Sequence, residues 1–266
     1  MRLKLLLAGL MAGPLCLLGV CPTVLGQSRP SAPGTGTGTG TEIPGNFATE
    51  APATVLQHYH AASPLAAQLY NGPQYLNYAL RYTERKDHQF FLTPELQTGS
   101  VAYNQQQFDH LPLRYDVVLD QVVLGLPGSP LMVRFVNEKM PRFTIGDHSF
   151  VRLVADSAAA SGLSTGYYEV LAEGRVQVLA RRAKRKQERI VGRNLTVEFI
   201  PTEKLFARKD GVYHLLNSKS AALKLFADRQ TEVQAYMRQN KLKLGKTQFE
   251  NVVVALASYY NQLPPR

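Results

Sequence analysis

The chain has 266 residues, with 30 Lys and Arg against 20 Asp and Glu and a formal net charge of +10. Both of its cysteines, Cys16 and Cys21, lie near the start, which excludes a disulfide framework, a thiol nucleophile or a cysteine-held metal from everything after them. The remainder must hold together by its core alone, and its length suffices for that.

Arg2 and Lys4, the apolar run from Leu5 to Val20, and the small residue Gly26 have the three-part pattern of a secretory signal peptide cleaved after Gly26. Gly13, Pro14 and Pro22 argue against an uncleaved anchor, which needs about 20 apolar residues. Leu18-Gly19-Val20-Cys21 raises lipid attachment at Cys21 as an alternative, although Val20 is a poor residue before a lipidated cysteine. The expected location is therefore outside the cytoplasm: periplasmic, outer-membrane-associated or secreted. Residues 27–46, with their Thr-Gly repeat, have almost nothing apolar to bury and read as a flexible tether. Residues 47–266 read as one domain, and no later segment is long and apolar enough to span a bilayer.

Val55, Leu56, Tyr59 and Ala62 suggest a short helix ended by Pro64. Strand-like runs then follow: Phe90 to Leu92, Ser100 to Tyr103, Phe108 to Tyr115, Val117 to Leu124, Leu131 to Val136, Phe143 to Ile145 and Phe150 to Val154. Tyr167 to Leu171, Val176 to Ala180, Leu195 to Ile200 and the two strands around Asp210-Gly211 continue the series. Spacings of roughly 8–12 residues with turn residues between them mark an antiparallel meander. At the end, Phe249, Val252, Val253, Leu256, Tyr260 and Leu263 fall on one helical face, and Thr247 with Glu250 fits a capping box. The predicted fold class is α+β: a curved antiparallel meander or partly open barrel over 88–216, with amphipathic helices over 218–263.

Leu69-Tyr70-Asn71-Gly72 with Tyr75, Gly99-Ser100-Val101 with Tyr103, Leu113 with Tyr115-Asp116, Phe150-Val151 with Leu153, Lys209-Asp210-Gly211 with Tyr213, and Tyr259-Tyr260 occur in an order that resembles an uncharacterised group of exported β-rich proteins from Bacteroidota-type bacteria. The resemblance implies an envelope or extracellular setting and assigns no catalytic residue.

Charge is unevenly placed: residues 27–174 are weakly acidic in balance, residues 175–246 strongly basic. The densest basic run supplies the anion-binding candidates Arg181, Arg182, Lys184, Arg185, Lys186 and Arg189. They could grip phosphates, sulfated or acidic glycans, or another anionic envelope component; as a solvated strand end they would instead guard a sheet edge. Nucleic acid is disfavoured for an exported chain with no aromatics among these charges.

Other motifs carry less. Gly162-Leu163-Ser164-Thr165-Gly166 matches a nucleophile elbow but precedes a strand rather than a helix. Gly245-Lys246-Thr247 lacks the strand and the first glycine of a phosphate loop. Among the histidines only His58 and His60 are close in sequence, so no metal site and no cofactor is expected. The expected function is a non-catalytic binding or interaction module. The alternatives are a hydrolase built from Asp87, His88, Asp109, His110, Asp147 and His148, and a carrier with an apolar cavity inside the curved sheet.

Overall fold

The computed structural model describes residues 67–155 and 162–264. The leader, the tether, the helix expected before Pro64, and His58 with His60 lie outside the described residues. The strands are β1 (Glu84–Lys86), β2 (Gln97–Tyr103), β3 (Gln106–Asp116), β4 (Gln121–Gly125), β5 (Met132–Arg134), β6 (Arg142–Ile145), β7 (His148–Leu153), β8 (Gly166–Ala172), β9 (Val176–Arg181), β10 (Lys184–Val191), β11 (Asn194–Pro201), β12 (Lys204–Lys209) and β13 (Val212–Leu215). The helices are α1 (Lys219–Leu225), α2 (Gln230–Gln239) and α3 (Phe249–Gln262). Among the described residues, no helix is long and apolar enough to cross a membrane.

The fold is α+β. Ten strands form an open antiparallel sheet in the order β13-β12-β9-β8-β7-β6-β2-β3-β4-β5, and a smaller sheet has the order β1-β11-β10. The chain runs outward from β2 to β5, returns to place β6 beside β2, and meanders on to β9. It then leaves to make the β10–β11 hairpin before β12 pairs with β9. Turn chemistry sets the hairpins. Asp210 and Gly211 take φ of +50° and +79°, and Asn104 and Gln105 +50° and +66°, the left-handed pairs that two-residue turns between twisted strands require.

Strand alternation gives the main sheet two apolar faces. On one, Phe143 and Phe150 stack at 4.6 Å and Tyr115 meets both edge-on at 5.2 Å, so the aromatic interior of the meander is filled by its own rings. Further along, Val176, Val178 and Ala180 of β9 with Leu205 and Ala207 of β12 pack against Val252, Val253, Leu256 and Ala257 of α3. Leu179 and Phe206, one residue out of phase, join Tyr168 on the opposite face.

Helix α3 is fastened at its far end by side chains. Arg175 stacks on the Tyr260 ring at 5.0 Å and donates to the carbonyls of Tyr260 and Leu263. The Asn261 amide donates to the carbonyls of Glu173 and Val176, both at 2.9 Å. Gly174 is required there, because a Cβ would lie 2.5 Å from Asn261 and its φ is +136°.

Three local expectations are corrected. Thr247 does not cap α3: it lies in a 3-10 turn (Lys246–Gln248), and Glu250 turns instead to Arg182, a stronger charge-assisted partner than a backbone N–H. Phe90 to Leu92 is not a strand, because Phe90 packs with Tyr75 and Val123 while Phe91 enters the meander core, and Leu92 adopts φ +53°. Val117 to Leu124 is broken by a turn, since Asp116 Oδ1 accepts from the N–H groups of Val118 and Leu119, each at 3.0 Å.

Removing α3 exposes the apolar face of β9 and β12. Deleting 247–266 is expected to abolish the cooperative thermal transition, and Leu256→Ala, at a site with no exposed surface, to cost about 2–5 kcal/mol in urea unfolding. A melt of the truncated chain within a few degrees of full length would refute this role of α3.

Candidate functional site

The basic run straddles the junction of the two sheets, so its members meet different surroundings. Arg181 ends β9 and turns inward, with its side chain 17% exposed. It donates to Asp120 at 3.0 Å and to the Tyr167 carbonyl at 2.7 Å, while the Tyr115 hydroxyl donates to Asp120 at 2.6 Å. Burial, reinforced by the Asp120 charge, raises the Tyr115 pKa well above the ordinary phenol value. Gly166 makes this cluster possible: a Cβ there would sit 2.3 Å from both Arg181 and Asp120. The elbow-like loop thus has a steric reason for its last glycine, and Ser164 simply leads into β8, its carbonyl accepting from Tyr168 at 2.7 Å.

Arg182, 13% exposed, is shared by three carboxylates. It meets Glu169 of β8 at 2.5 Å, Glu203 at 3.0 Å, and both oxygens of Glu250 at 2.8 and 2.9 Å. Burial opposes its charge, but the hydrogen bonds and charges of Glu250 and Glu169 outweigh that and hold its pKa above the ordinary guanidinium value. Glu169 is itself buried and also contacts His148 Nδ1. Lys184 donates to the His88 carbonyl at 2.6 Å and lies 3.2 Å from Asp87. Arg181, Arg182 and Lys184 are therefore structural cations with resident partners.

The candidates further along β10 differ. Lys186 lies 2.8 Å from Glu188 and 5.7 Å over the Tyr78 ring. Hydrogen bonds from Lys186, Tyr82 and Arg81 hold the Glu188 pKa down to about 2. Arg185 and Arg189 are exposed on the other face of the strand, with Gln187 between them. Arg193 is exposed in the turn that closes the hairpin. Arg185 donates to Gln187 at 3.3 Å, and the charges of Arg189 and Arg185 act on Glu198, but among the described residues none of these three arginines has a carboxylate within ion-pair distance. Beside them Ile190 and Val191 are 78% and 62% exposed. The candidate site is thus the outer part of the β10–β11 hairpin, with Arg193 added to the candidates legible in sequence.

The Asp/His pairs do not form one hydrogen-bonded constellation among the described residues. Asp87 and His88 interact with Lys184; Asp109 accepts from Gln107 at 3.0 Å beside a β3 bulge where His110 takes φ +57°; His148 belongs to Glu169. Among the described residues no group of three or more His, Cys, Asp and Glu side chains is placed to hold a metal ion. Asp116, fully buried, has its pKa raised by burial although it accepts from Tyr75 at 2.7 Å, and its geometry is that of a turn cap. A groove of about 750 Å³ lies between β13 and α1, lined by Tyr213, His214, Lys224 and Leu225 among others.

No family model, curated protein or solved structure matches the chain.

The two kinds of arginine should separate in unfolding experiments. Arg182→Ala leaves Glu169 buried beside Glu250 and Glu203 without their cation, and is expected to cost about 3–5 kcal/mol. Arg185→Ala and Arg189→Ala should each stay within about 0.5 kcal/mol. Equal urea midpoints for all three would overturn the division.

Proposed function

We propose that the chain is an exported, non-catalytic binding module that contacts an anionic partner, such as an envelope component or acidic glycan, through the outer β10–β11 hairpin. The observation that carries this reading is the contrast within one run. Arg181, Arg182 and Lys184 are consumed by internal carboxylates and carbonyls, whereas Arg185, Arg189 and Arg193 point to solvent without an ion-pair partner among the described residues. Guanidinium groups are weakly hydrated and offer forked donors, which suits them to carboxylate, phosphate and sulfate recognition. The export half of the proposal rests on the basic start, apolar run and small residue at Gly26, and on the resemblance to exported β-rich proteins.

Reversing Arg185, Arg189 and Arg193 together to glutamate should leave the fold intact and move elution from a heparin column to lower salt. The attraction should also fade as the Debye length contracts from about 10 Å at 0.1 M to about 3 Å at 1 M. Elution of wild type and triple variant at the same salt would overturn the anionic reading. Reversal of Arg182 or Lys184 is unsuited to this test, because it strikes buried ion pairs.

The export proposal has its own check. Mass spectrometry of the protein recovered outside the cytoplasm should show Gln27 as the first residue. A chain beginning at Met1 would refute cleavage, and a diacylglycerol-modified Cys21 would establish lipid anchoring instead.

A further inference from the structure

The sheet edges are not equivalent. The outer side of β5 is covered by the chain: Tyr75 N–H donates to the Met132 carbonyl at 2.8 Å, and Arg134 N–H to the Pro73 carbonyl at 2.9 Å. Strands β13 and β1 have four and three residues. Strand β10 has eight and, among the described residues, pairs only with β11, leaving its other side open there. A hairpin closed between Val191 and Asn194, together with the Thr202 N–H to Ala183 carbonyl bond, assigns the odd-numbered residues of β10 to the β11 ladder. The N–H and C=O groups of Lys184, Lys186, Glu188 and Ile190 therefore face outward. Among the described residues no backbone hydrogen bond engages them.

Open, long edges of this kind are templates for an added strand, and charges on them decide which strand is admitted. Two copies of β10 would bring together segments that each carry four cations and one carboxylate, which disfavours self-pairing. An acidic segment reverses that sign. On the exposed face its carboxylates would lie beside Arg185 and Arg189, and an apolar residue at its end would cover Ile190, which is 78% exposed.

We propose that the outer edge of β10 receives an extended acidic segment of a partner polypeptide as an additional antiparallel or parallel strand. This rests on the anionic-partner reading and gives that partner a polypeptide backbone.

The test uses the purified protein, a fluorescent ten-residue peptide alternating Glu with Val or Thr, the same peptide interrupted by two prolines, and heparin as a polyanion that cannot add a strand. The uninterrupted peptide should bind, and the proline-interrupted peptide should bind at least about tenfold more weakly. Arg185→Glu with Arg189→Glu should weaken both peptide and heparin binding. Lys186→Pro, which removes an outward N–H at a position where edge strands tolerate proline, should weaken the peptide alone when set against Lys186→Ala, which loses the same charge. Should Lys186→Pro fail to fold, hydrogen exchange on the wild type decides: the amides of Lys184, Lys186, Glu188 and Ile190 should slow when the peptide is added. Peptide binding indifferent to proline in either partner, or unchanged exchange at those four amides, overturns strand addition while leaving the anionic reading in place. Absence of both heparin and peptide binding by wild type overturns both.

Discussion

One guanidinium sets the register between the main sheet and the start of helix α3. Arg182 leaves the end of β9, crosses to Glu169 on β8, and grips Glu250 on the first turn of α3 with both of its terminal nitrogens, while Glu203 ahead of β12 closes the group. Glu169 is buried, and Arg182 is the cation set against its carboxylate. Glu250 would otherwise sit at a helix N-terminus with only the favourable helix dipole to orient it. Apolar packing of α3 on β9 and β12 is non-directional and would accept small shifts of the helix along the sheet. The bidentate contact fixes its position near the N-terminus, as Arg175 and Asn261 do at the other end. The arrangement turns a sliding contact into a registered one.

The same junction explains why a continuous basic run has several roles. Arg181 and Arg182 are the last turn of the pleat in the main sheet, where consecutive side chains point to opposite faces and meet Asp120 on one and Glu169 on the other. Lys184 opens the smaller sheet and is drawn to Asp87 and His88. Beyond it the alternation continues with a different outcome. Lys186 and Glu188 face Tyr78, Tyr82 and Arg81, while Arg185 and Arg189 face water. Local charge density is thus a poor measure of available charge; the pleat and the sheet boundary decide it.

Much of the architecture was legible because it depends on local patterns. Alternation and turn residues marked the hairpin around Asp210-Gly211, and the three- and four-residue spacing from Phe249 to Tyr260 marked α3. What escaped depends on long-range partners. The parallel pairing of β1 with β11 joins Arg85 to Val197, and no local pattern of a three-residue strand announces it. The capping box failed because Arg182, far away in sequence, outcompetes a backbone amide for Glu250. For the candidate site, the cations were visible as a cluster, but their counterions Asp120, Glu169, Glu203 and Asp87 are dispersed along the chain. A hint lay in the acidic balance of residues 27–174, which supply carboxylates to the basic stretch that follows.

The placement of the hairpin bears on how a surface can specialise without weakening the fold. The chain leaves the main sheet after β9 and returns in β12, which pairs with β9 directly, so the ladder of the large sheet is complete without β10 and β11. The smaller sheet has its own core, in which Val197 and Phe199 pack against Ala79 and Tyr82. Residues facing that core are constrained; Arg185, Arg189 and Arg193, directed away from it, are not. Substitutions there alter charge at little cost to either core, because exposed positions contribute little to stability. Opening of the hairpin should likewise leave α3 in place, since structural units with small cores unfold at lower free energy than the whole. A surface of this kind, anchored by a minor core and outside the principal ladder, combines an ordered backbone edge with freely variable side chains, the two properties that strand-mediated recognition requires.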